Sequence, residues 1–240
     1  TTAVAYDDAR PARIALFSYL QRTLHQRRRN PMDDLFGSLM TTEVEGRRLG
    51  SADVVCNTYN VLLGANVTLP HTATSTLLTL MEEGRYREWR ESAAEATSTG
   101  VDEAIRWGTA ANHFLRYTTQ EVELPGGTIP AGDAVALWLS SANRDEEVFD
   151  DPFVFDIRRQ PNKHLGFGVG SHYCVGYAMA KLCLRVLFEE IIDAVEDMQP
   201  AGPVEHLRSN LVAGYTHVPV IVRRRHGSNG TVRPQESTDS

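Results

Sequence analysis

Apolar side chains recur at helical spacing through the first half of the chain, and the period shortens in the second. Residues 12–28 set Ile14, Leu16, Phe17, Leu20 and Leu24 on one helical face, with a basic last turn that suits the helix dipole. Pro31 stops this helix, and 32–40 predicts a short second one. After the turn EVEGRRLG, Ser51 followed by Asp53 marks another N-terminus. The run from there to Gly84 meets no strong breaker except Pro70. At about 30 residues it far exceeds the ordinary helix length. Being apolar all round, it predicts a buried central helix. Pro70 lacks a backbone donor, so an opening near Ala65 and Asn66 is expected.

A helix is expected over 100–111. Residues 114–145 then carry β-branched side chains and the turns LPGG and PAGD, which predict two or three short strands. The stretch 143–170, rich in Asp, Asn, Pro and Gly, reads as a long irregular loop, and loops of that length are usually functional. A helix over 175–195 and a short hairpin over 208–222 follow. The tail 223–240 is poor in apolar residues and is expected to be disordered. The fold class is therefore mainly α with small β-sheets.

Composition narrows the function. A net charge of −7 over 240 residues gives no electrostatic footprint for nucleic acid. No apolar run approaches the roughly 20 residues of a membrane span, and the N-terminus lacks a secretory apolar region. A soluble, cytoplasmic protein is expected. The three cysteines, Cys56, Cys174 and Cys183, are too few and scattered for a disulfide framework or a four-ligand zinc site. Chemistry at cysteine would use one thiolate. The chain starts at Thr1 without Met and reads as part of something longer.

The densest signal is GFGVGSHYCVGYAMAKLCLRVLFEEII, residues 166–192. Gly168, Gly170 and Gly176 surround Cys174 at the mouth of an amphipathic helix. Glycine at this density permits sharp turns and close approach of backbone to a flat ligand. A helix N-terminus favours thiolate, whereas a lone buried cysteine is usually an inert small hydrophobe. The arrangement resembles the haem-thiolate loop of the cytochrome P-450 family, with Phe167, Gly168, Gly170, His172, Cys174 and Gly176 in register. The resemblance implies that Cys174 is the only protein ligand to the iron of haem b (iron protoporphyrin IX), with the other five lining the cofactor.

The same resemblance extends along the chain. EAIR, Glu103 to Arg106, is similar to the family's ExxR pair, and Arg106 lies 68 residues before Cys174. A Glu and an Arg three apart share a helix face. Arg159, in a stretch like the family's meander, would complete a structural triad with them. The family likeness places Arg116 and His172 near the haem propionates, with His164 and His113 as weaker candidates; a surface charge is the plain alternative for each. On the long helix GANVT, Gly64 to Thr68, resembles the oxygen-binding motif, 35 residues before Glu103. Thr68 would position the proton that drives O–O cleavage, and Ala65 would line the cofactor. Two positions depart from the pattern: Val67 stands at the usual acid and Ala65 at a usual Gly. Asn66, His71 or ordered water would then deliver protons. A one-residue shift would align Asn66 with the acid and Val67 with the Thr, but the 35-residue spacing argues against it; the plain alternative for Thr68 is a bond back to its own helix.

The likeness covers 1–222, as the C-terminal part of the cytochrome P-450 fold: long central helix, ExxR helix, meander, haem-thiolate loop and following helix. It implies a monooxygenase inserting one oxygen atom of O₂ into a small organic substrate, with electrons from a ferredoxin-type donor and its reductase. Peroxide-driven or rearrangement chemistry is the alternative that Val67 motivates, and a truncated non-catalytic piece is a third. By the same likeness Leu63, Asn66, residues 111–114, Ala213 and Gly214 would face the substrate.

Overall fold

The computed structural model describes residues 10–225, the side chains of 93–96 excepted. The chain falls into two compact units, Thr1–Thr68 and Leu69–Ser240. In the first, α1 (Arg10–Arg29) ends on Arg27, Arg28 and Arg29. The second helix, α2 (Leu35–Thr41), starts later than 32 because Asp34 caps it, its side chain accepting from the Gly37 N–H. The turn after it is a small hairpin of β1 (Glu43–Val44) and β2 (Arg47–Arg48). The long helix α3 (Ser51–Glu82) begins at the expected serine. Leu20, Leu24, Phe36, Val54 and Val55 form the core of this unit.

Two expectations for α3 need correction. Pro70 sits inside an unbroken helix. The proline deletes only one backbone donor, the one the Asn66 carbonyl would accept from, and the helix absorbs that loss. Nor is α3 buried all round: Val61, Leu62 and Leu63 are 37–41% exposed. Burial is confined to Val54, Val55 and Thr58 at one end and to Thr72, Ala73, Thr76, Leu78, Leu80 and Met81 toward the other.

The second unit packs around Trp89, Phe155, Phe188, Leu80, Ile157 and Leu184. A short helix that the pattern did not predict, α4 (Tyr86–Glu91), buries Tyr86 and Trp89. The next, α5 (Ala93–Gly108), starts before residue 100 and stops before 111. Thr109 ends it in the left-handed region at φ 32°, donating its N–H to the Ile105 carbonyl. Four strands follow as two antiparallel pairs. One joins β3 (His113–Tyr117) to β6 (Ala134–Trp138), and the other joins β4 (Val122–Leu124) to β5 (Gly127–Ile129). After one turn of helix, α6 (Leu139–Ala142), the chain runs irregularly to α7 (Tyr177–Ala194).

The expected hairpin over 208–222 is two separate pairings. β8 (Glu205–His206) pairs with β9 (Tyr215–His217), and β10 (Val220–Arg224) pairs with β7 (Val195–Pro200). The polar sequence 195–200 hides its strand because only Met198 is buried. Of the tail expected to be disordered, Arg223 and Arg224 lie in β10, and 226–240 lies outside the described residues.

Candidate functional site

A carboxylate at zero exposure must be paired and hydrogen-bonded to stay charged. Glu103, on α5, is such a group. It receives Nε of Arg106 at 2.7 Å and Nη2 at 2.7 Å, a two-pronged pairing. It also accepts from Arg159 Nε at 3.2 Å, the Asp156 N–H at 2.8 Å and Asn162 Nδ2 at 3.0 Å. Arg106 is equally buried and spends its remaining N–H groups on the carbonyls of Asn143, Pro152 and Val154. Arg159, 9% exposed, also donates to the carbonyls of Asp150, Asp151 and Val154. The triad therefore holds the irregular stretch after α6 by its backbone.

Asn143 adds a fastening that sequence reasoning missed. It is fully buried, donates from Nδ2 to Thr109 Oγ1 at 2.9 Å, and accepts the Leu165 N–H at 2.7 Å. An asparagine at the end of a one-turn helix carries no distinguishing pattern. Its importance comes from partners 22 to 37 residues away.

This frame presents Cys174. Gly168 and Gly170 take φ of +72° and +77°, values that glycine adopts without a side-chain penalty. A single 3₁₀ turn, Gly170–His172, follows. The Cys174 N–H then turns back to the Phe167 carbonyl at 2.9 Å. Cys174 is half-buried and stands before α7 rather than in its first turn; that helix begins at Tyr177 with Gly176 as its cap. The reason is local: the glycines favour a turn, and the Tyr177 N–H is taken by the Cys174 carbonyl at 3.3 Å. A Cβ on Gly176 would lie 3.9 Å from the sulfur. The rings of Phe167, Tyr173 and Tyr177 pack edge to face within the loop. Val169 and Val175 of the loop and Met179 of α7 are 74%, 91% and 63% exposed, so the loop and the start of α7 offer an apolar outer surface. The other two cysteines are exposed on α3 and α7.

The other predicted residues fall as follows. His172 is exposed in the 3₁₀ turn. Arg116 is exposed on β3 and lies over the Phe114 ring at 5.8 Å. His113, on the same strand, stacks on Trp138 at 4.7 Å, and its buried Nδ1 has no hydrogen-bond partner. Asn66 Nδ2 donates to the Leu62 carbonyl and Thr68 Oγ1 to the Gly64 carbonyl, so both side chains bond back to their own helix. Ala65 is exposed. His71 accepts the Tyr215 N–H at Nδ1 (3.4 Å). Residues 110–112 meet 211–213 through two backbone hydrogen bonds, which brings the expected substrate segments 111–114 and 213–214 together.

One thiol in a glycine-lined turn with an apolar outer face suits a flat macrocycle with a metal, and Arg116 and the orphaned Nδ1 of His113, both on β3, are groups chemically suited to carboxylates. These residues fit haem. No cluster of three or more potential metal ligands exists among the described residues. No helix among them is long and apolar enough to cross a membrane.

Comparison with known proteins agrees with this geometry. The family profile Cytochrome P450 matches residues 95–199. The methyl-branched lipid omega-hydroxylase of Mycobacterium tuberculosis (strain ATCC 25618 / H37Rv) is 35% identical over 221 residues, covering 91% of this chain and 51% of that protein. The steroid C26-monooxygenase of Mycolicibacterium smegmatis is 33% identical over 215 residues, covering 88% and 50%. The crystal structure of P450 OxyD, involved in the biosynthesis of vancomycin-type antibiotics, superposes with a TM-score of 0.82 at 34% identity. That match covers 90% of this chain and 54% of that one. The chain belongs to the cytochrome P450 family and has the corresponding part of its fold. It spans about half the length of the curated relatives it matches.

Proposed function

We propose that the whole protein is a haem-thiolate monooxygenase that inserts one oxygen atom of O₂ into a small organic substrate. Electrons come from a ferredoxin-type donor with its reductase. The observation that carries this reading is Cys174, presented half-buried in a glycine-turned, apolar-faced loop. Haem b, when bound there, would supply the dioxygen chemistry, the thiolate donating to the iron.

The chain's own residues do the remaining work. The Phe167 carbonyl holds the Cys174 amide, while Phe167, Gly168, Gly170 and Gly176 shape the face against the macrocycle. Arg116, His172 and His113 are the candidates to receive the propionates, His113 because its buried Nδ1 lacks a partner. Ala65, Asn66 and Thr68 keep the oxygen-side roles that their place in the GANVT motif implies. The Thr68 hydroxyl, which donates to the Gly64 carbonyl, is the group that the motif gives the proton-positioning role. With Val67 at the acid position, peroxide-driven or rearrangement chemistry is the second reading. Reductant-dependent turnover with a redox partner separates the two.

The test uses the whole protein. Cys174→Ala should abolish the red-shifted Soret band of the thiolate-ligated reduced CO complex, and Cys183→Ala should leave it. An unchanged spectrum in Cys174→Ala sinks the assignment.

A further inference from the structure

We infer that His164 is a positioning residue for the Cys174 thiolate and acts through one tautomer of its ring. The inference rests on the haem-thiolate reading above. Its basis is a chain of contacts running from α7 through α5 into the loop. Lys181 Nζ, on α7, lies 2.5 Å from Asp102 Oδ1, on α5. His164 Nε2 faces the same oxygen at 3.4 Å. The other ring nitrogen, Nδ1, accepts the Gly166 N–H at 3.2 Å. One residue further on, the Phe167 carbonyl accepts the Cys174 N–H.

Chemistry then fixes the proton. A ring nitrogen that accepts a hydrogen bond carries no hydrogen, so the proton of the neutral imidazole sits on Nε2, toward Asp102. The opposite tautomer, or the imidazolium, would point N–H at N–H across Gly166. Asp102 is held as a carboxylate: burial pushes its pKa up, but the donors His164 and Lys181 outweigh burial and bring it below the usual value. Asp102 and Lys181 are the charged groups paired around the ring, one from each helix. The His164 side chain is only 8% exposed, and its other flank meets the Phe167 ring at 5.6 Å.

Gly166 cannot relax away from this contact. A Cβ there would lie 2.5 Å from Ile105 Cγ2 and 3.2 Å from the Ile105 carbonyl, so its backbone lies directly on α5. The imidazole therefore references the amide two residues before Gly168 to both helices. A partner that orients a ligand-bearing segment in this way tunes the ligand without touching the metal.

Two measurements test the inference. Heteronuclear NMR of the ring nitrogens in the unmodified protein should show His164 as the Nε2–H tautomer at neutral pH. An Nδ1–H tautomer or an imidazolium there overturns it. In the holoprotein, His164→Phe keeps a ring and removes both nitrogens. Haem affinity should fall roughly tenfold, with loss of thiolate-type signal in the reduced CO complex. His164→Asn, whose Oδ1 can accept from Gly166, should recover most of that loss. Wild-type affinity and spectrum in His164→Phe overturn the inference, as does an equal loss in both variants. If His164→Phe does not fold, the tautomer measurement still decides. Absence of a thiolate signature in the unmodified protein would instead refute the role of Cys174.

Discussion

Replacing Glu103 by Ala removes the one acceptor that neutralises two guanidinium groups. Arg106 is fully buried and Arg159 is 9% exposed, so neither can recover water. Five donors lose a carboxylate acceptor at once: Arg106 Nε and Nη2, Arg159 Nε, the Asp156 N–H and Asn162 Nδ2. Breaking a buried pair by deleting one member costs about 3–5 kcal/mol. A protein whose whole stability is about 5–15 kcal/mol would lose at least about a fifth of it. Urea or guanidinium unfolding of wild type and variant measures the difference directly, and haem content at purification reports whether the Cys174 loop survives. Glu103→Gln sharpens the test. The amide keeps the volume and one acceptor but replaces the charge and turns N–H groups toward the arginines, so it should not rescue. A loss under about 1 kcal/mol in Glu103→Ala would show that a buried pair of this geometry is not holding the segment. A Gln variant at wild-type stability would show that the negative charge is not what holds the arginines.

Two further predictions rest on single contacts. Burial pushes the Tyr86 hydroxyl pKa up to about 12 from 10.0, and the hydroxyl donates to the Ile191 and Val195 carbonyls. Its contribution is therefore intact below pH 10, where the unfolded phenol is still protonated, and is lost as pH rises toward 12. Tyr86→Phe should flatten the stability profile between those values; an unchanged slope refutes the linkage. At Gly214 a Cβ would lie 2.4 Å from His71 Cγ and Nδ1. Gly214→Ala should therefore lower stability by about 1–3 kcal/mol, and adding His71→Ala should restore part of it. Strict additivity of the two changes would show that they do not meet.

Several of these features were readable in advance, and for local reasons. Glu103 and Arg106 are three apart on one helix, and the glycines around Cys174 announce a turn without any tertiary context. The start of α3 was written in Ser51 and Asp53. What stayed hidden depends on distant partners. Asn143 is undistinguished until Arg106, Thr109 and Leu165 surround it. Asp102 and Lys181 look like solvated helix charges until His164 stands beside Asp102. The strand β7 takes its identity from β10, which arrives about 25 residues later. The apolar middle of α3 misled in the other direction, because composition promises burial and only packing delivers it.

The reach of the Glu103 cluster bears on how the second unit assembles. Its bonds to Asp156, Arg159 and Asn162 close loops of 53, 56 and 59 residues. Bringing such ends together costs about 4 kcal/mol of chain entropy on the logarithmic length law. No single bond in the cluster repays that, and a half-formed cluster would leave charge buried without a partner. The closure is therefore all-or-none: the strap from Asn143 to Leu165 docks as one piece or stays open. The amides of Asp156 and Leu165, held by Glu103 and Asn143, are released in the same opening event.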